Sequence, residues 1–238
     1  MEVLRAPSLT EKKISRTILT VSRLAATPSR KGPYHHGNLK NALIKAGVDL
    51  LSNEGVAGLT LRRVAQKAGV SHAAPYAHFA DKQALIAEIS TEGYRRLFEA
   101  LERVADRHEG DPGAKIVEGA WAYVKFALDD PDHFKVTTSG AVEREKDYPA
   151  FVEMSGKCFS LLLHIVEECQ ARGVLRAGPS DLVAVSVWSL MHGLICLVLE
   201  NQIPHALRDR MKIRELLIAA LSQIALVALR DPAPGRRR

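Results

Sequence analysis

Apolar residues recur along this chain at spacings of three and four, not two, so the pattern reads as one helix after another. Leu39, Leu43, Ala46, Leu50 and Leu51 make the first stripe, which stops at Asn53-Glu54-Gly55. Thr60 is placed to cap a short helix through Val64, Ala65 and Ala68 that Gly69 ends. Ser71 is placed to cap a second helix reaching Phe79, and Asp81 a long one over 82–107. Further periodic segments predict helices over 111–129, 131–138, 149–172, 180–201 and 208–229. The breaks fall at Gly110-Asp111-Pro112, Asp129-Asp130-Pro131, Gly173, Gly178-Pro179 and Pro204. No internal repeat and no strand-like stretch interrupts this series, and the expected fold class is all-α.

One apolar segment changes the picture before it is settled. Residues 182–199 contain no Asp, Glu, Lys or Arg, and eighteen such residues approach the length that spans a bilayer. Ser186, Ser189 and His192 lie inside the segment, acidic Asp181 and Glu200 flank it, and no Lys/Arg cluster adjoins it. The expectation is a helix of a soluble protein that is covered on both sides. Composition agrees with helix packed on helix: 47% of the residues are hydrophobic and only 5% aromatic. Cys158, Cys169 and Cys196 form no CxxC and have no His at metal-ligand spacing, which points to a reducing, cytoplasmic setting without a metal site. Arg16 and Arg23 interrupt the only apolar runs near the N-terminus, so no secretory signal is read there.

Charge then adds a direction. Residues 1–37 carry seven Lys and Arg against two Asp and Glu, and residues 38–82 six against three. Residues 83–229 reverse the balance with sixteen against twenty-one, and the last nine are basic again. A basic arm and a basic small domain ahead of a larger acidic one suit contact with a polyanion at one end only.

Within that basic region, residues 60–79 read as two short helices joined at Ala68-Gly69-Val70-Ser71. A helix-turn-helix needs small residues where its helices cross, a glycine to turn the chain, and a fresh cap for the second helix. Ala65, Gly69 and Ser71 meet those needs, while Leu61, Val64, Val70 and Phe79 seal the underside. From about Leu39 to Leu97 the chain resembles the tetracycline-repressor (TetR) family. The resemblance rests on Ala46, Leu50, Gly55, the run Thr60-Leu-Arg-Arg-Val-Ala65, Ala68-Gly69-Val70-Ser71, Tyr76, His78-Phe79, Lys82 and Leu85. It implies that Thr60, Tyr76 and Lys82 hold DNA phosphates. Ser71, His72, Ala73, Ala77 and His78 would face the bases at the start of the recognition helix, with Arg62 reaching from the helix before it. Ala73-Ala74-Pro75 departs from the commoner pattern, because Pro75 removes an amide proton that an α-helix starting at Ser71 would use. A later start near Ala74, behind a tighter turn, is expected.

Charge and proline placement give a flexible basic arm over 1–30 and a disordered tail over 231–238, and the resemblance implies a helix-turn-helix DNA-binding domain over 31–97 and a helical ligand-binding and dimerisation domain over 98–230. Trp188 and His192-Gly193 resemble the Trp…His-Gly signature of one subgroup. Trp121, Phe126, Phe151, Cys158, Phe159, Leu162, Trp188 and His192 are the candidate lining of a site for a small apolar effector, since two buried Trp and a His need partners for their polar atoms. The stripe Ile213, Leu216, Leu217, Ala220, Leu221 and Ile224 and the uncharged helix before it suggest a homodimer on a palindromic double-stranded DNA operator. A haem- or metal-responsive sensor using His164 or His192 is the alternative. No P-loop, HExxH or Ser-His-Asp arrangement at motif spacing is present, so no catalytic residue and no cofactor is assigned.

Overall fold

The computed structural model describes residues 36–232, so the arm over 1–30 and the end of the tail lie outside the described residues. The element order is α1 (His36–Gly58), α2 (Leu61–Lys67), a 3-10 turn (Ala74–Ala77), α3 (Lys82–Arg107), α4 (Pro112–Asp129), α5 (Pro131–Thr138), a 3-10 turn (Glu145–Asp147), α6 (Pro149–Ala171), α7 (Ser180–Leu199), α8 (His205–Arg208) and α9 (Ile213–Ser222). Among the described residues the fold is all-α, and its one β feature is an isolated bridge between Leu175 and Ala225.

The helix starts follow from side-chain caps. Thr60 accepts from the Arg63 N–H, Asp81 from Ala84, Asp111 from Ala114 and Asp130 from His133, each satisfying an amide that the first turn leaves open. Pro112, Pro131 and Pro149 each sit in a first turn, where the missing N–H costs nothing. At Gly55 the backbone turns to φ 69°, so the regular part of α1 stops there and one further helical turn follows across a kink.

Two apolar cores result. The first joins Leu43, Leu50, Leu59, Val64, Phe79, Leu85, Ile86 and Ile89 with Val136 of α5 and Phe151 of α6. The second gathers α4, α6, α7 and α9 around Val117, Val124, Phe134, Val166, Val187 and Leu217. Helix α3 runs through both, with Ile86 and Ile89 in the first and Leu97 in the second.

The expected last helix over 208–229 is much shorter. Past Ser222 the chain turns back on the loop after α6, where the Leu226 N–H donates to the Val174 carbonyl at 2.9 Å. This closes Leu175, which is 2% exposed. The expected tail is also tied down at its start, since Asp231 Oδ1 lies 3.0 Å from Arg214 Nε. The helices at 149–171 and 180–199 are long and apolar enough to cross a membrane by composition. In α7, Val183, Ala184, Val187, Met191 and Ile195 are buried in the second core, while Leu182, Val185 and Leu197 on its other side are exposed.

Helices α3 and α5 meet backbone against side chain at Gly93. A Cβ built there would lie 2.9 Å from both Cβ and Cγ2 of Thr137 and closer still to its Oγ1. Thr137 is itself 3% exposed and has no room to yield. Gly93→Ala is expected to destabilise the fold by about 2 kcal/mol through overpacking, despite the better helix propensity of Ala. Urea denaturation of the variant measures this, and unchanged stability would contradict the close packing described.

Candidate nucleic-acid interface and ligand cavity

The surface built by α2 and the following turns is exposed where the sequence asks for contact. Thr60, Arg62, Ser71, His72, Ala73, Tyr76 and Ala77 are exposed, and His78 and Lys82 half-buried. Tyr76 presents 62% of its surface, unusual for a tyrosine without a role in packing. Thr60 Oγ1 accepts the Arg63 amide at 3.2 Å, which leaves the hydroxyl proton free to donate. Arg63 is spent on Glu54, with Nη2 to Oε1 at 2.7 Å, and on the Gly58 carbonyl at 2.7 Å. Arg62 beside it has no ion-pair partner among the described residues.

The expected helix from Ser71 to Phe79 is a correction. Pro75 lacks the N–H that would reach the Ser71 carbonyl in an α-turn, and that carbonyl accepts instead from Ala74 at 3.0 Å. The segment is therefore a 3-10 turn over Ala74–Ala77 without a side-chain cap, ended by the His78 and Phe79 amides on the Pro75 carbonyl, both at 2.9 Å. Gly69, at φ 68°, makes the turn ahead of it, and Phe79 and Val64 anchor it from below at 3% and 0% exposure.

The second core borders a half-open cavity of about 290 Å³, with Trp188 and Gly156 of its wall exposed. Ile116, Gly119, Ala120 and Tyr123, at i, i+3, i+4 and i+7 of α4, form one wall. Of the expected lining, Cys158, Phe159, Leu162 and Trp188 lie in the cavity wall, and Trp121, Phe126, Phe151 and His192 do not. Trp121 is rotated off that face of α4, with the Arg214 guanidinium 5.2 Å from its ring centroid. Phe126 packs on Phe134, and Phe151 belongs to the first core, edge-on to Tyr94 at 5.8 Å.

Tyr123 supplies the partners that Trp188 and His192 need. The Trp188 Nε1–H donates to the Tyr123 hydroxyl oxygen at 3.2 Å, and that hydroxyl lies 3.0 Å from His192 Nδ1. The Tyr123 hydroxyl thus takes the indole proton and shares a second hydrogen bond with the imidazole, whose direction follows the His192 tautomer. Burial raises the Tyr123 pKa, so the hydroxyl stays a donor. Trp188 Nε1 and His192 Nδ1 are thus met from within the chain.

Tyr94, Tyr123 and Lys115 are wall residues that the sequence reading missed. Lys115 is 6% exposed, with Nζ at 2.7 and 3.0 Å from the two Glu168 oxygens. Burial pushes Cys158 and Cys169 up to about 12, so both are thiols that donate to backbone carbonyls, of Tyr94 and of Pro112. His164 is exposed beside Glu167 and Glu168, and no group of three or more metal-ligating side chains occurs among the described residues.

Comparison with known proteins places this geometry. The model of the tetR family of bacterial regulatory proteins matches residues 43–89, and that of the tetracyclin repressor-like C-terminal domain matches residues 116–221. A structure of a protein with unknown function from Rhodococcus sp. RHA1 is 32% identical, with a TM-score of 0.64, over 81% of this chain and 96% of that one. The HTH-type transcriptional regulator YobS of Bacillus subtilis (strain 168) is 27% identical over 42% of this chain and 51% of its own length. The class A tetracycline repressor protein from transposon 1721 of Escherichia coli is 48% identical over 46 residues, 19% of this chain and 21% of that protein. The chain thus spans about half the length, or less, of these curated relatives. It belongs to the tetR family of bacterial regulatory proteins.

Tyr123→Phe tests this polar trio, in which Tyr123 is buried, His192 half-buried and Trp188 41% exposed. It leaves the Trp188 N–H and His192 Nδ1 without their partner and is expected to cost about 0.5–1.5 kcal/mol in urea denaturation. A loss below about 0.5 kcal/mol would mean that the two groups are satisfied another way.

Proposed function

We propose that this chain is a ligand-responsive DNA-binding regulator, a repressor that a small apolar effector releases from a palindromic operator. The observation that carries the reading is that the exposed helix-turn-helix surface and the apolar cavity share one helix. Helix α3 begins at Lys82, beside the DNA-facing residues, and reaches the cavity wall with Tyr94, Leu97 and Leu101. A ligand that favours one setting of α3 over another changes operator affinity by as much as its affinities for the two settings differ.

In this reading Thr60, Tyr76 and Lys82 hold phosphates, and Arg62, Ser71, His72, Ala73, Ala77 and His78 face the major groove. Alanine methyl groups at two of those positions suit thymine methyl groups more than polar base edges. Two copies are needed to read a palindrome, and the exposed apolar side of α7 is the surface proposed for a homodimer. Leu217 and Leu221 are 0% and 1% exposed in the subunit's own core, so they belong to the fold and not to that interface. The protein works in the cytoplasm, where its DNA is.

Gel-shift titration checks the DNA contacts. Tyr76→Phe and Lys82→Ala are each expected to weaken binding by about 1 kcal/mol on every operator tested, with a shallower salt dependence for Lys82→Ala. Equal affinity in both variants and wild type would remove this docking. Leu197→Glu, at a position 47% exposed in one subunit, is expected to leave the fold intact and to give monomers in sedimentation, because a charge buried between copies costs several kcal/mol. A dimer in that variant would place the interface elsewhere.

A further inference from the structure

The cavity wall has hydrogen-bonding groups, and nearly all of their protons are committed. Trp188 donates to Tyr123, whose hydroxyl also hydrogen-bonds His192 Nδ1; Cys158 donates to the Tyr94 carbonyl at 3.4 Å, Thr138 to the Phe134 carbonyl at 2.9 Å and Ser155 to the Val152 carbonyl at 3.2 Å. The Tyr94 hydroxyl is the exception, with no hydrogen-bond partner among the described residues. Burial pushes its pKa up to about 12, so it is present as a neutral donor.

The charge in the wall is committed as well. Lys115 is its one charged residue, and both Glu168 oxygens lie within 3.0 Å of the ammonium. A carboxylate entering the cavity would compete with Glu168 for a cation already neutralised and would leave one of the two anions poorly compensated. A cationic ligand would find no free anion in the wall and would lose its hydration without replacement. The remaining walls are apolar, among them Leu97, Ile116, Phe159, Leu162 and Met191.

We propose that the cavity takes an uncharged, mostly apolar molecule carrying a hydrogen-bond acceptor such as a ketone or ester carbonyl, and that the Tyr94 hydroxyl donates to that acceptor. The proposal rests on reading the cavity as the effector site. It also gives that site a route outward, because the Tyr94 ring is edge-on to Phe151, a buried member of the core beneath the helix-turn-helix. A ligand held by the hydroxyl bears on a ring that both cores share.

A matched pair of ten-carbon probes tests this by calorimetry at pH 8, with decan-2-one as the neutral acceptor and decanoate as the anion. The ketone is expected to bind wild-type protein at least roughly ten-fold more tightly than decanoate, as an uncompensated buried charge demands. Tyr94→Phe keeps the ring against Phe151 and is expected to weaken the ketone roughly five-fold, the worth of one net hydrogen bond. Decanoate binding as tightly as the ketone, a ketone affinity indifferent to Tyr94→Phe, or no ketone binding up to its solubility limit would each overturn the proposal. Operator gel-shifts in the presence of the ketone separate the two readings. Binding through Tyr94 with no change in operator affinity sinks the effector role and leaves the ligand class standing.

Discussion

Helix α3 has to satisfy two cores at once, and the rest of the molecule is arranged around that requirement. Its first half is fixed by Leu85, Ile86 and Ile89 against α1 and α2, and its second by Leu97 against α4 and α6. Between the halves lies Gly93, where α5 approaches so closely that a methyl group does not fit. No proline interrupts α3, so nothing in its sequence places a sharp kink between the two cores. A side chain at Gly93 would disturb both cores together.

Much of this was legible in the chain, and for local reasons. Thr60, Asp81, Asp111 and Asp130 sit directly ahead of apolar-periodic segments, and all four act as caps, so the starts of α2 to α5 are as expected. Of the two departures, one has a cause that a sequence window does not contain and one a local cause. The last helix stops early because the chain after Ser222 hydrogen-bonds to Val174, about fifty residues away. The second helix of the motif becomes a 3-10 turn through Pro75, and here the expected late start near Ala74 anticipates the outcome.

The cavity shows the same division. Phe159, Leu162 and Trp188 stood out as large apolar groups, and they lie in its wall. Trp121 stood out equally and lies off the wall, because one position along α4 turns a side chain by about 100°. Tyr123 was the less conspicuous choice, yet its place three residues past Ala120 puts it in the cavity and within reach of both Trp188 and His192. Lys115, near the start of α4, was not singled out by the sequence. Its burial depends on Glu168, fifty-three residues later, and nothing in the local pattern announces a partner at that distance.

Pro75 also bears on how quickly the exposed turn can engage what it meets. Its fixed φ and the two amides closed on its carbonyl hold the segment in few conformations before any contact is made. A surface that is already ordered gives up little chain entropy on docking and has no folding step to wait for. Encounter then resembles the meeting of two rigid bodies, with a rate set by orientation and long-range charge, and with differences among target sites appearing mainly in how long each complex lasts.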